Sequence, residues 1–272
     1  MNAQTTNQSV QSQRRWDIDW LRVGATLLLF YFHSAKIFYL WGPWYIQNAQ
    51  KSRASSYVSL FIEHWFMPLF FILAGAASWF ALRRRSGGQY VRERFKRLLI
   101  PYIFGLLVIV PPQIYFDLRA NAGFSGSYIQ FYPHFFDPAY TGGTFDMGHL
   151  WFILYLFVFS LVAVPLFLYL RRESGQRLMG RLAGFFTRPG VIFLLAIPTM
   201  VADYVLLHFY PNPAYFLTFF LYGYILMADP RLEEVIDKHK GVALILGIAM
   251  YVAWISLVTM DVIHPEWLQP IW

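Results

Sequence analysis

The sequence predicts an all-α protein, a polytopic bundle of about seven transmembrane helices. Three observations carry this. The chain of 272 residues is 57% hydrophobic and 20% aromatic but only 14% charged, where a soluble domain averages about 25% charged. The apolar residues come in blocks long enough to cross the ~30 Å hydrocarbon core as helices. The basic residues, in contrast, are crowded into every second connection between those blocks, as the topology of an inserted bundle demands.

Spans are expected at about 18–40, 56–82, 98–117, 149–170, 190–209, 214–228 and 241–260. The sixth is short, so it is read as tilted, broken or re-entrant. Residues 1–16 are polar and read as a disordered cytoplasmic N-terminus, and residues 17–272 as one integral membrane domain. No small-residue cleavage site follows a short apolar core, so the first span itself serves as the signal anchor. With the N-terminus in the cytoplasm, the inner segments hold 18 of the 22 Lys and Arg. That gives the expected orientation by the positive-inside rule, with the cell (inner) membrane as the expected location. It also accounts for the net charge of +7, so no nucleic-acid partner is expected. The absence of cysteine excludes disulfides and thiol catalysis.

The first span, Asp17 to Tyr39, is the most informative stretch. It carries Asp19, Arg22, His33 and Lys36 at membrane depth, where ionisable groups are costly and mark function. Arg22 and His33 are almost three helical turns apart, so both point one way, about 16 Å apart along the axis. The plain alternative is an Arg22–Asp19 pair at an interface and a His33 bond to a neighbouring helix. Glu63 and His64 lie at a similar depth in the second span, and one of them is expected to orient His33; a packing hydrogen bond is the alternative. Segment 83–97 opens with R-R-R-S-G-G. The Ser-Gly-Gly is expected to end the second helix and YVRERFKRLLIPY to lie as a short amphipathic helix on the cytoplasmic face, feeding the third span. Residues 118–147 form the longest outer loop, rich in Gly, Pro and aromatics, and are expected to fold over the outer mouth. There is no G-x-S-x-G elbow, P-loop or H-E-x-x-H pattern, and no metal site is expected.

Four motifs in order then resemble a known family. They are D-x-L-R (Asp19, Leu21, Arg22) followed by His33, M-P-L-F-F-I-L-A-G (Met67 to Gly75), Arg94-x-x-Arg97 with Pro101 and Tyr102, and H-L-W-F-I-L (His149 to Leu154). Together they resemble the acyltransferase 3 family of integral membrane acyltransferases, and M-P-L-F-F and G-H-L-W-F are most similar to members that succinylate periplasmic glucans. The resemblance implies transfer of an acyl group from a cytoplasmic acyl-CoA donor, with no bound cofactor, to a hydroxyl of an extracytoplasmic glycan or lipid. It implies His33 as general base with Glu63 or His64 beside it, and Arg22, Arg94, Arg97 and His149 as substrate-binding residues. Asp19, Tyr102 and Trp151 take structural roles. The basic run around Arg94 and Arg97 has a second reading, as ordinary inner-face charge touching anionic lipid. The family fold has roughly ten spans against the seven counted here, which reads as a shortened version of it. Two other functions are expected as alternatives: a transporter or flippase that uses the same buried charges to pass an anionic solute, and, from the smaller number of spans, an inactive truncated protein of the acyltransferase fold.

Overall fold

The computed structural model describes residues 15–137, 147–206 and 211–260, and every regular element among them is helical. Helix α1 is Trp16–Lys36 and α2 is Arg53–Arg84. Helix α3 is Gly87–Asn121, with π-turns at Phe95–Leu99 and Gly105–Ile109. A short α4, Tyr128–Phe131, follows. Helix α5 is Trp151–Leu170, entered through a 3-10 turn at Gly148–Leu150. Then come α6 (Glu173–Phe186), α7 (Val191–Val205), α8 (Pro213–Ala228) and α9 (Pro230–Thr259).

Four helices among the described residues are long and apolar enough to cross a bilayer: Arg53–Arg84, Gly87–Asn121, Gly148–Leu170 and Pro230–Leu257. The other expected spans are weaker. Asp17, Asp19, Arg22, His33 and Lys36 interrupt α1, and α7 and α8 have only 10–17 residues. The expected split between an amphipathic segment and a third span is corrected, because α3 runs unbroken through both. Ser86 caps it: its hydroxyl accepts the Gln89 N–H while the Gln89 side chain accepts the Ser86 N–H. Helix α2 ends at Arg84, as expected from the Ser-Gly-Gly, and the capping box makes the same residues the start of α3. At 1.5 Å per residue α3 is about 50 Å long, well beyond the ~30 Å hydrocarbon core, so one helix holds both the basic stretch and the span. Helix α6 was not expected. Its signal lies in the buried Gly175, Met179 and Ala183, spaced by four along one face.

The core forms where α2 and α8 cross. A Cβ on Gly75 would come within 1.9 Å of the Phe220 carbonyl oxygen, and one on Gly223 within 1.9 Å of the Ile72 carbonyl oxygen. The backbones thus meet with no side chain between them, as small residues permit in membrane bundles. Phe71, Phe159, Phe167, Phe220 and Tyr224 fill the surrounding cluster, with Tyr90 of α3 and Trp151 of α5 packed into it. Helix α1 leans on α2 alone among the more extensive helix pairs, through Phe32, Ile62 and Phe66. Its outer face, with Trp20, Leu27 and Phe30, is exposed and suited to lipid.

The described part of the long loop after α3 packs back on the C-terminal half of that helix. Phe131 and Phe135 are buried against Val110, Ile114 and Tyr115. Pro111 has no N–H to bond the Leu107 carbonyl, and the Tyr132 hydroxyl donates to that oxygen instead at 3.0 Å. Residues 138–146 of this loop, residues 1–14 and residues 207–210 lie outside the described residues.

Candidate active site

Chain geometry in two places builds one cleft. The 37–52 loop after α1 carries Trp44 and Tyr45 back over the C-terminal end of that helix. The Gly148–Leu150 turn descends along α3. Gly148 has a φ of +51°, a conformation that glycine adopts without strain. A Cβ at Gly148 would stand 3.3 Å from the Gln113 side-chain oxygen and 3.7 Å from the Tyr45 hydroxyl. Leu150 fits against Gly105 in the second π-turn. His149 is therefore carried down to His33, and the two imidazole centroids are 4.5 Å apart at 64°. Trp44 stacks on His149 at 5.6 Å and 21°, and lies 5.9 Å from His33. With Tyr45, Gln113 and Phe116 these residues line an open cleft of about 580 Å³.

His33 has a defined polarity. Its Nδ1 lies 2.8 Å from the Leu29 carbonyl oxygen. A carbonyl only accepts, so in the neutral imidazole Nδ1 carries the proton and Nε2 holds the lone pair. That tautomer is the one a general base needs.

Glu63 and His64 are placed elsewhere. Glu63 meets the Lys36 ammonium at 3.0 Å rather than His33. His64 bonds the Leu60 carbonyl within its own turn and packs edge-on against Trp254 of α9, 4.5 Å between centroids. The two residues are neighbours in sequence and so point about 100° apart on α2; neither points to the cleft.

The arginines divide as well. Arg22 is exposed, with its guanidinium 3.7 Å from Asp19. Arg94 is half-buried; it donates to Ser78 Oγ at 3.3 Å and lies over the Tyr90 ring at 4.5 Å. Ser78 is fully buried, also accepts from the Tyr90 hydroxyl at 2.9 Å, and itself donates to the Ala74 carbonyl. The buried Arg94 Nε has no protein partner, so a donor hydrogen is left for something else. Arg97, three residues on and within the first π-turn, is exposed and does not share that environment. Tyr102 is buried, with its hydroxyl 3.1 Å from Met147 Sδ, which ties α3 to the segment before His149. Trp151 packs on Phe216 and Tyr155, at 5.2 and 5.4 Å. Among the described residues no group of three or more His, Asp or Glu side chains is arranged to hold a metal ion.

Residues that the sequence did not single out are the aromatic wall, Trp44, Tyr45 and Phe116, and Gln113. Trp44 and Tyr45 follow closely on the first helix, where aromatic residues commonly serve as interfacial anchors, and only the fold of the 37–52 loop brings them over His149.

Residues 15–272 match the acyltransferase 3 family, described as an acyltransferase domain. The chain belongs to that family. Its spanning helices and lipid-suited surface accord with the membership, and it is an integral membrane protein. Similar proteins include glucans biosynthesis protein C of Escherichia coli strain SMS-3-5 / SECEC, 25% identical over 263 residues, and of strain K12, 24% identical. Each alignment covers 90% of this chain and 66% of the relative, so the chain spans just under two thirds of those proteins. No solved structure matches.

Proposed function

We propose that the protein is a membrane O-acyltransferase that moves an acyl group from an acyl-CoA-type donor to a hydroxyl of an extracytoplasmic glycan. One observation carries the reading: within this acyltransferase family member, the His33 imidazole has its Nδ1 committed to the Leu29 carbonyl and its ring in an open cleft beside His149. The acceptor O–H donates to Nε2. As the acceptor oxygen attacks the thioester carbonyl, the proton passes to Nε2. The C–O bond forms, the C–S bond breaks, and the imidazolium returns the proton to the departing thiolate. His149 and Gln113 supply hydrogen bonds to the acceptor, and the flat faces of Trp44 and Phe116 suit the apolar face of a sugar ring. A glycan acceptor also follows the name of the similar Escherichia coli proteins.

The donor side is assigned to the cytoplasmic half. The unused Arg94 Nε donor fits a phosphate of the nucleotide handle, for which guanidinium groups are suited. Arg22 and Arg97, exposed near the same face, add positive charge to it. The N-terminus is cytoplasmic, so the cleft opens outward in the inner membrane.

The test is mass spectrometry of envelope glycans and lipids from cells with and without the protein. A glycan species heavier by one acyl group, dependent on the protein, is the expected result. An unchanged glycan profile together with an acylated lipid would move the acceptor to the lipid class. No acyl difference in either would end the reading.

A further inference from the structure

The mechanism above leaves Lys36 unused, although it is the one lysine among the described residues whose side chain is buried. Only 9% of that side chain is exposed, in a segment where an isolated ammonium is costly. Three residues past His33, it is turned by about 60° from the cleft and faces α2. There its Nζ meets Glu63 Oε2 at 3.0 Å. The same Nζ lies 4.0 Å from the Tyr39 ring centroid, 5.3 Å from Phe32 and 5.8 Å from Trp44. A cation among ring faces gains most when it is desolvated.

Two of those rings belong to the loop that walls the cleft. Leu40 N–H donates to Ser56 Oγ at 2.8 Å, Asn48 N–H to the Ile37 carbonyl and Ser52 N–H to the Phe38 carbonyl, both at 2.9 Å. Gln47 ties the Tyr39 and Gly42 carbonyls together. The contacts thus run from Glu63 through Lys36 to Trp44, and from Trp44 to His149 and His33. We propose that Lys36 is a positioning residue: with Glu63 it pins the 37–52 loop, so that Trp44 holds His149 against His33. The catalytic part rests on the function proposed above; the anchoring part does not.

The test replaces the pair together, because removing Lys36 alone would leave the Glu63 carboxylate without its partner. Lys36→Met/Glu63→Gln is compared with wild type and with Lys36→Arg in nanodiscs, by amide hydrogen exchange and by acyl transfer. The double variant should exchange the Leu40, Asn48 and Ser52 amides about tenfold faster, while α2 and α5 keep their protection. Its turnover should fall about tenfold or more with donor KM unchanged. Lys36→Arg, which keeps the charge and the ring contacts, should stay within about threefold of wild type. Tyr39→Leu leaves the ion pair intact and should loosen the same amides, which covers a double variant that does not fold. Wild-type exchange in the 37–52 loop of a folded double variant would overturn the anchor. Faster exchange with unchanged turnover would overturn the positioning role. If wild type transfers no acyl group at all, the function proposal fails while the exchange data still decide the anchor.

Discussion

His33 of α1 and His149 of the turn before α5 are far apart in the chain, yet their imidazoles stand 4.5 Å apart in one cleft. The first ring is oriented by its own helix through the Leu29 carbonyl. The second is delivered by a glycine-dependent turn and covered by Trp44. A base with a fixed tautomer beside a second polar ring is the arrangement that deprotonating a sugar hydroxyl calls for.

His149→Phe tests the second ring. Phenylalanine keeps an aromatic face for Trp44 but loses both nitrogens. Turnover or acceptor KM should worsen by about tenfold, the value of one lost hydrogen bond, with donor KM unchanged. Steady-state kinetics with the two substrates varied separately give the answer, and unchanged acceptor kinetics would leave His149 as packing only.

Arg94→Lys keeps the charge but loses the guanidinium fork and with it the unpartnered Nε donor. Donor KM should rise by about tenfold or more, and acceptor KM should not follow. Arg97→Lys, at an exposed position, should change donor KM by less than Arg94→Lys does. Equal effects at both positions would mean that inner-face charge alone matters.

Gly223→Ala probes the α2–α8 crossing. The new methyl would fall on the Ile72 carbonyl, a backbone atom that cannot swing aside. A loss of about 1–3 kcal/mol is expected for such overpacking, read as a lowered Tm in detergent. Gly88→Ala, where nothing lies within 4 Å, is the control and should hold the wild-type Tm.

Orientation is tested with single cysteines, since the chain has none of its own. Ser86 caps α3, so the inner probe goes at the neighbouring exposed Gly88 and the outer one at Ser125. An impermeant thiol reagent added to intact cells should label Ser125→Cys and spare Gly88→Cys. The reverse pattern would turn the cleft toward the cytoplasm and remove the separation of donor and acceptor sides.

The helical class and most elements were legible in the sequence because apolar block length and positive-charge placement are local signals. His33 was legible for the same reason, as an ionisable group on an apolar helix. What was not legible depended on contacts between distant segments. Ser86-Gly87-Gly88 was legible as the end of α2, but its second role, as the cap of α3, depends on the Gln89 side chain. Glu63 and His64 each looked available to His33, but Glu63 pairs with Lys36 and His64 bonds within its own turn, contacts that helical phase sets and depth alone does not reveal. His149 was singled out only by the H-L-W-F resemblance; its place against His33 depends on the turn Gly148–Leu150 beside Gln113. Trp44 belongs to an irregular loop, whose course no periodicity encodes.

The central claim is that the His33 imidazole is the base that activates the acceptor hydroxyl. The most direct measurement is acyl transfer by His33→Ala in membranes, at matched protein level and with Tm measured alongside. The account predicts a normally inserted protein of near wild-type Tm whose transfer rate is lower by about 10²–10⁴-fold. A well-folded His33→Ala protein that transfers acyl groups at the wild-type rate would contradict it.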